Sequence, residues 1–148
     1  MTTEPLELSF TVGCSDEEAF DTFAVRTSLW WPHQHSFSGQ DGITVTFEPF
    51  PGGRIYERTP GGAEHDWGEV VAWERPRRLL YLWHLATDRS DATEVEVTFT
   101  DDASGQGTLV AITHRGWDRL GDRGAAWRAQ NHDGWSGVLP HYRWFLKA

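Results

Sequence analysis

Three polar side chains fall on faces that the sequence otherwise gives to a core. In the segment Thr108–Arg115, Val110, Ile112 and His114 share one side of a strand, while Leu109, Ala111 and Thr113 share the other. If the first set faces inward, so does His114. Burial without a charged partner lowers an imidazole's pKa and keeps it neutral, able to orient a ligand or to act as a base. A core histidine bonded to a backbone carbonyl accounts for the same placement. Glu57 takes whichever side Ile55 takes, and a carboxylate on an inner face is costly unless an Arg, a His or a ligand donor binds it. Asn131 lies in a stripe of Trp127, Asn131, Trp135, Val138, Tyr142 and Phe145 at helical spacing. His33 and His35 could form a metal pair, but spacing supplies no third ligand. Gly52-Gly53 reads as a tight connection, with an anion site on its backbone N–H groups as the alternative. Cys14 has no motif partner and reads as a small buried residue near a strand end. No phosphate-binding loop, GxSxG, HExxH, CxxC or GxGxxG motif is present.

The elements that must hold these groups are unusually aromatic. The 148 residues include nine Trp, eight Phe and three Tyr. Such rings build either a packed core or the wall of a small-molecule pocket. Indole N–H groups need acceptors when buried, which a partly wet cavity supplies more easily than a dry core. Trp67, Trp83, Trp135 and Tyr142 lie on apolar strand or helix faces and are the expected wall. The formal net charge of −9 argues against nucleic acid and against an anionic membrane surface. The longest apolar run, Leu79–Trp83, is far short of the roughly 20 residues of a spanning helix. Met1–Pro5 carries no basic or apolar leader, and a single cysteine precludes an internal disulfide. The expectation is one cytoplasmic domain over residues 1–148, with its core at about 6–145.

Period-two alternation predicts strands at Leu6–Val12, Ile43–Glu48, Arg54–Arg58, His65–Trp73, Arg78–His84, Thr93–Phe99 and Thr108–Arg115. Ser15 and Glu18 form a capping box that opens a helix carrying Ala19, Phe20, Phe23 and Ala24. A second short helical turn ends at Leu29-Trp30-Trp31, stopped by Pro32. The period then changes, and Gly121–Phe145 reads as one long helix, with Pro140 bending or breaking it. The result is an α+β chain: one strand, two short helices, a curved six-stranded antiparallel meander and a C-terminal helix. Trp127, Trp135 and Val138 should pack on the concave face of the sheet.

Trp30-Trp31-Pro32, Phe47-Glu48-Pro49, Gly52-Gly53-Arg54, Trp67-Gly68, Trp73-Glu74-Arg75-Pro76, Leu79–Trp83, Gly107-Thr108, His114-Arg115-Gly116-Trp117 and Gly134-Trp135 occur in this order. The ordered set resembles the family of activator of heat-shock-protein-90 ATPase homologues, in the START-like or SRPBCC superfamily, over about Leu6 to Phe145. The resemblance implies the helix-grip fold, in which a curved sheet wraps a C-terminal helix over a hydrophobic cavity. Superfamily members bind lipids, sterols, polyketides or plant hormones, and some are cyclases or hydrolases. The eukaryotic name-givers are co-chaperones, which would place such a chain in the stress response. No universal catalytic residue carries over.

Three functions follow as expectations. The first is binding of a small hydrophobic or amphipathic molecule, without metal or other cofactor, in a cavity of roughly 300–1,000 Å³. Trp67, Trp83, His114, Asn131, Trp135, Tyr142 and Glu57 would surround it, and Gly134 and Gly137 would leave it unfilled. The second is a chaperone- or protein-interaction module that docks by its acidic surface, as a monomer or homodimer. The third is a cyclase or hydrolase using His114 and Glu57.

Overall fold

The alternation of apolar and polar residues produces seven strands: β1 (Leu6–Val12), β2 (Thr44–Phe47), β3 (Arg54–Arg58), β4 (Glu64–Glu74), β5 (Arg78–Trp83), β6 (Thr93–Asp101) and β7 (Thr108–Arg115). The computed structural model describes residues 2–85 and 87–147. All seven strands form one antiparallel sheet in the order β1-β7-β6-β5-β4-β3-β2. Strands β2 to β7 are a meander, and β1 joins β7 at the far edge, with Leu6 opposite His114 and Val12 opposite Thr108. Two register shifts, between Ile55 and Tyr56 and between Val70 and Ala72, interrupt the ladders of β4. Such bulges bend strands and raise local twist.

Helix α1 (Asp16–Ala24) opens as its capping residues dictate: the Ser15 hydroxyl accepts from the Glu18 N–H at 3.1 Å. Its buried face, Ala19, Phe20, Phe23 and Ala24, meets the sheet and the long helix α2 (Gly124–Lys147). Tyr142 of α2 donates its hydroxyl to the Ala19 carbonyl at 2.7 Å, and Phe23 and Trp30 pack against its ring. On the convex side, Glu94 and Glu96 form ion pairs with Arg115 and Arg78. Being half-exposed, each such pair adds only about 0–1 kcal/mol.

Several boundaries differ from the sequence reading. The long helix begins at Gly124, because Gly121 adopts φ 61°, ψ −132° and kinks the preceding 3₁₀ segment, Trp117–Arg123. Helix α2 nevertheless runs through Pro140 without a break. The second short helical turn is a 3₁₀ turn at Thr27–Leu29, and His33–His35 forms another. Gly68 has no room for a side chain: a Cβ there would lie 1.9 Å from the Leu82 carbonyl oxygen. Its bareness lets β4 and β5 approach beside Trp67 and Trp83.

Candidate functional site

Helix α2 cannot follow a curved sheet along its whole length, and its N-terminal half leaves a cleft of about 290 Å³, open to solvent. The 3₁₀ turn after Pro32 forms one wall, the end of β5 another, and α2 the third. Four indoles line it: Trp31, Trp83, Trp127 and Trp135, with Leu85 and Val138 between them. The polar lining is Gln34, His35, Ser36, Gln130 and Asn131. Among the described residues, no Asp, Glu, Lys or Arg lines the cleft.

The indole wall is two layers deep. Trp31, Trp67 and Trp83 form a triangle of mutually packed rings: Trp31 lies 5.0 Å from Trp67 and 5.9 Å from Trp83, centroid to centroid, and Trp67 and Trp83 are 5.6 Å apart. Trp67 is fully buried in the rear layer. Its Nε1–H donates to Glu57 Oε1 at 2.8 Å. Glu57 also accepts from the Phe37 N–H at 2.5 Å, the Ser38 N–H at 3.2 Å and the Ser38 hydroxyl at 2.6 Å. Burial raises the pKa of this carboxyl, but the four hydrogen bonds outweigh burial and hold it below its ordinary value. Glu57 therefore fastens the segment that carries the 3₁₀ wall; it is absent from the cleft lining.

His114 is likewise behind the wall. Trp135 donates its indole N–H to His114 Nδ1 at 3.1 Å, which makes Nδ1 the acceptor and puts the ring proton on Nε2. Nε2–H then donates to Thr93 Oγ1 at 2.7 Å, and that hydroxyl donates to the Trp83 carbonyl at 3.4 Å. One chain of hydrogen bonds thus links Trp135 and Trp83, on opposite sides of the cleft. Burial pushes the His114 pKa down to about 3, so the imidazole is neutral at pH 7. Its partners are side chains, not the backbone carbonyl expected of a core histidine.

The seven residues expected at the cavity separate by depth. Trp83, Asn131 and Trp135 line the cleft. Trp67, His114 and Glu57 support it from behind. Tyr142 is at the closed end of α2, packed against Phe23, Trp30 and Phe10. Asn131 Nδ2 donates to the Trp127 carbonyl at 3.0 Å. Trp127, expected beneath the helix, is half-buried and lines the cleft instead. The two helix glycines act differently. A Cβ on Gly134 would meet nothing within 4 Å, so this residue widens the cleft. A Cβ on Gly137 would lie 2.8 Å from Cε1 and Nε2 of His35, so this glycine is where that imidazole seats on α2.

Trp31, Gln34, His35, Ser36, Leu85 and Gln130 were not among the expected site residues. The signal for the first three was the run Trp30-Trp31-Pro32-His33-Gln34-His35, in which an aromatic pair is followed by a forced turn. The indole N–H groups of Trp83 and Trp127 have no acceptor among the described residues, unlike those of Trp30, Trp31, Trp67, Trp117 and Trp135. The cleft can therefore stack planar rings and offer neutral donors and acceptors around them. Among the described residues, no three His, Cys, Asp or Glu side chains gather as metal ligands would, and no helix is long and apolar enough to cross a membrane.

This architecture recurs in solved proteins. The anthrahydroquino-γ-pyrone synthase Txn09 is 32% identical, with a TM-score of 0.57, over 85% of this chain and 86% of that one. Protein MLL2253 from Mesorhizobium loti is 18% identical with a TM-score of 0.68, over 97% of each chain. DynU16, described as a putative protein in the dynemicin biosynthetic locus, is 18% identical with a TM-score of 0.67, over 97% of this chain but 47% of that one. No curated protein matches. Residues 8–141 match the family described as Activator of Hsp90 ATPase homolog 1-like protein. With its seven-stranded sheet gripping α2, the chain belongs to that family and has the helix-grip fold.

Proposed function

We propose that the protein binds a small, uncharged, largely aromatic molecule in the cleft beside α2. The observation that carries this reading is the lining itself: four indoles, neutral amides, a hydroxyl and an imidazole, with no ionised carboxylate, ammonium or guanidinium, in a chain that is 24% charged. An ionic ligand would lose its hydration there without a counter-charge. A planar ring system gains apolar burial and stacking from the indoles, and its oxygens meet Gln, Asn and indole donors.

A second reading, an enzyme of ring-closing type, is favoured by the 32% identity to a synthase. His114 and Glu57 do not suit that role, because their polar atoms are already engaged by protein groups. His35 suits it better: the residue lines the cleft, and its ring nitrogens have no hydrogen-bond partner among the described residues.

The test titrates 1-hydroxyanthraquinone into the protein while following tryptophan fluorescence. Binding with quenching is expected. Gly134→Leu should abolish it, since the new side chain enters the cleft, while the fold is retained because a Cβ there meets nothing within 4 Å and leucine is a better helix former than glycine. Equal quenching in wild type and Gly134→Leu would defeat the binding reading. If a substrate is converted, His35→Gln should lower turnover far more than it weakens binding of the probe.

A further inference from the structure

A second flank of α2 contrasts with the cleft. Between β1 and the last turns of α2 runs a groove of about 640 Å³ whose apolar floor includes Leu8, Phe10 and Leu139. Arg143, Trp144 and Lys147 rise beside it. Trp144 is 70% exposed, more than any other large hydrophobic side chain described. The chain has 13 cationic side chains against 22 acidic ones. Arg54, Arg58, Arg75, Arg78, Arg89, Arg115 and Arg123 are all in ion pairs. Among the described residues, Arg143 and Lys147 pair with no carboxylate and no carboxylate lines the groove. Arg143 instead lies 4.9 Å over the Phe10 ring. Glu7, the acid of β1, alternates onto the opposite face of the strand from Leu6 and Leu8.

Two backbone features accompany these cations. β1 is an edge strand, paired with β7 on one side only, so alternate N–H and C=O groups along its other side have no ladder partner. Pro140 lies inside α2 and has no N–H, so the Ser136 carbonyl, at the groove, lacks its helical donor.

We infer that this groove receives an extended acidic segment of another protein, added along the outer edge of β1. Its backbone pairs with the edge, its carboxylates meet Arg143 and Lys147, and an apolar side chain covers Trp144. Charge decides among occupants. A second copy placed groove to groove would set these same cations against each other. An anionic membrane is a broad surface that would meet the acidic faces of a chain of net charge −9 as well as this groove, whereas a segment a few residues long meets only the groove with its two cations.

The test uses a fluorescein-labelled hexapeptide of alternating Glu and Val, with its Lys–Val counterpart as control, read by anisotropy at low salt. Saturable binding of the Glu–Val peptide alone is expected, weakened by added salt. Amide shifts should appear at Ser9, with an indole shift at Trp144. The double variant Arg143→Glu, Lys147→Glu should weaken binding by about tenfold or more, with its circular dichroism spectrum retained, since both side chains are exposed. The inference fails if the Lys–Val peptide binds as well, if charge reversal leaves the Glu–Val affinity intact, or if the shifts fall elsewhere. Self-association, or co-sedimentation with phosphatidylglycerol vesicles, that the double variant abolishes would assign the groove to those occupants and overturn it.

Discussion

Toward its C-terminus α2 presents Tyr142 to Phe23, Trp30 and Phe10, and the space is filled. Toward its N-terminus it presents Trp127 and Trp135 to Trp31 and Trp83, and a cleft remains. Both regions are built from the same kind of ring, so ring chemistry does not separate them. What differs is the element laid over the helix. α1 brings Ala19, Phe20 and Phe23 against the closed end, with edge-to-face ring pairs such as Phe23–Tyr142 at 5.5 Å. At the open end a single 3₁₀ turn covers α2, held from beneath by Glu57 and seated at Gly137 by His35. Gly134 then withholds a side chain where one would fill the gap. An aromatic surface becomes a binding wall where too little chain covers it.

The largest effect expected at the open end is acid lability through His114. The unfolded imidazole titrates near its ordinary 6.5 and the folded one near 3. As pH falls from 6.5 toward 3 the unfolded state takes up the proton and the native state does not, so stability is lost. The loss amounts to about 4–5 kcal/mol at pH 3 as an upper bound. Glu57 acts in the same direction: its depressed pKa gives stability that is present above its ordinary value and lost as pH falls through the folded value. Urea unfolding at stepped pH should give that slope, and His114→Phe should flatten the arm between pH 6.5 and 4. A wild-type stability that does not change over that range would remove His114 from the wall's support.

At the closed end, Phe23→Ala should cost about 3–5 kcal/mol by deleting a buried ring from a packed site. It should leave anthraquinone affinity unchanged. A parallel loss of affinity would mean that the two ends form one unit. Glu57→Gln is the smaller change, about 1–3 kcal/mol, because an amide cannot accept all four donors that the carboxylate satisfies. Its signature should be at the cleft: weaker probe binding and altered Trp31 emission, with the α1 end unaffected as read by amide hydrogen exchange. Loss of protection at α1 instead would contradict the assignment of Glu57 to the wall.

Much of the fold was legible in the residues themselves. Alternation in Leu6–Val12, Thr93–Phe99 and Thr108–Arg115 fixed strands and their inward faces, because a strand's side chains alternate by geometry. Ser15 and Glu18 announced the start of α1 through local hydrogen bonding. The inward direction of Glu57 and His114 followed from Ile55 and Ile112. The start of α2 was missed because Gly121 leaves the helical region while the apolar period runs across it.

The site was legible only in part. Sequence period gives the face of an element but not the depth at which a side chain lies on that face. Trp83 and Trp67 look alike in sequence, yet one reaches the cleft and the other is sealed behind Trp31. Gly134 and Gly137 look alike too. One opens space, and the other accepts the His35 ring from a turn about a hundred residues earlier in the chain. The amino-acid sequence by itself determined the strand faces, the caps, the excess of rings and the acidic balance, all of which depend on near neighbours. Tertiary structure alone decided which rings stay uncovered, which donors Glu57 satisfies and which proton His114 keeps. Those outcomes depend on distances between segments far apart in the chain.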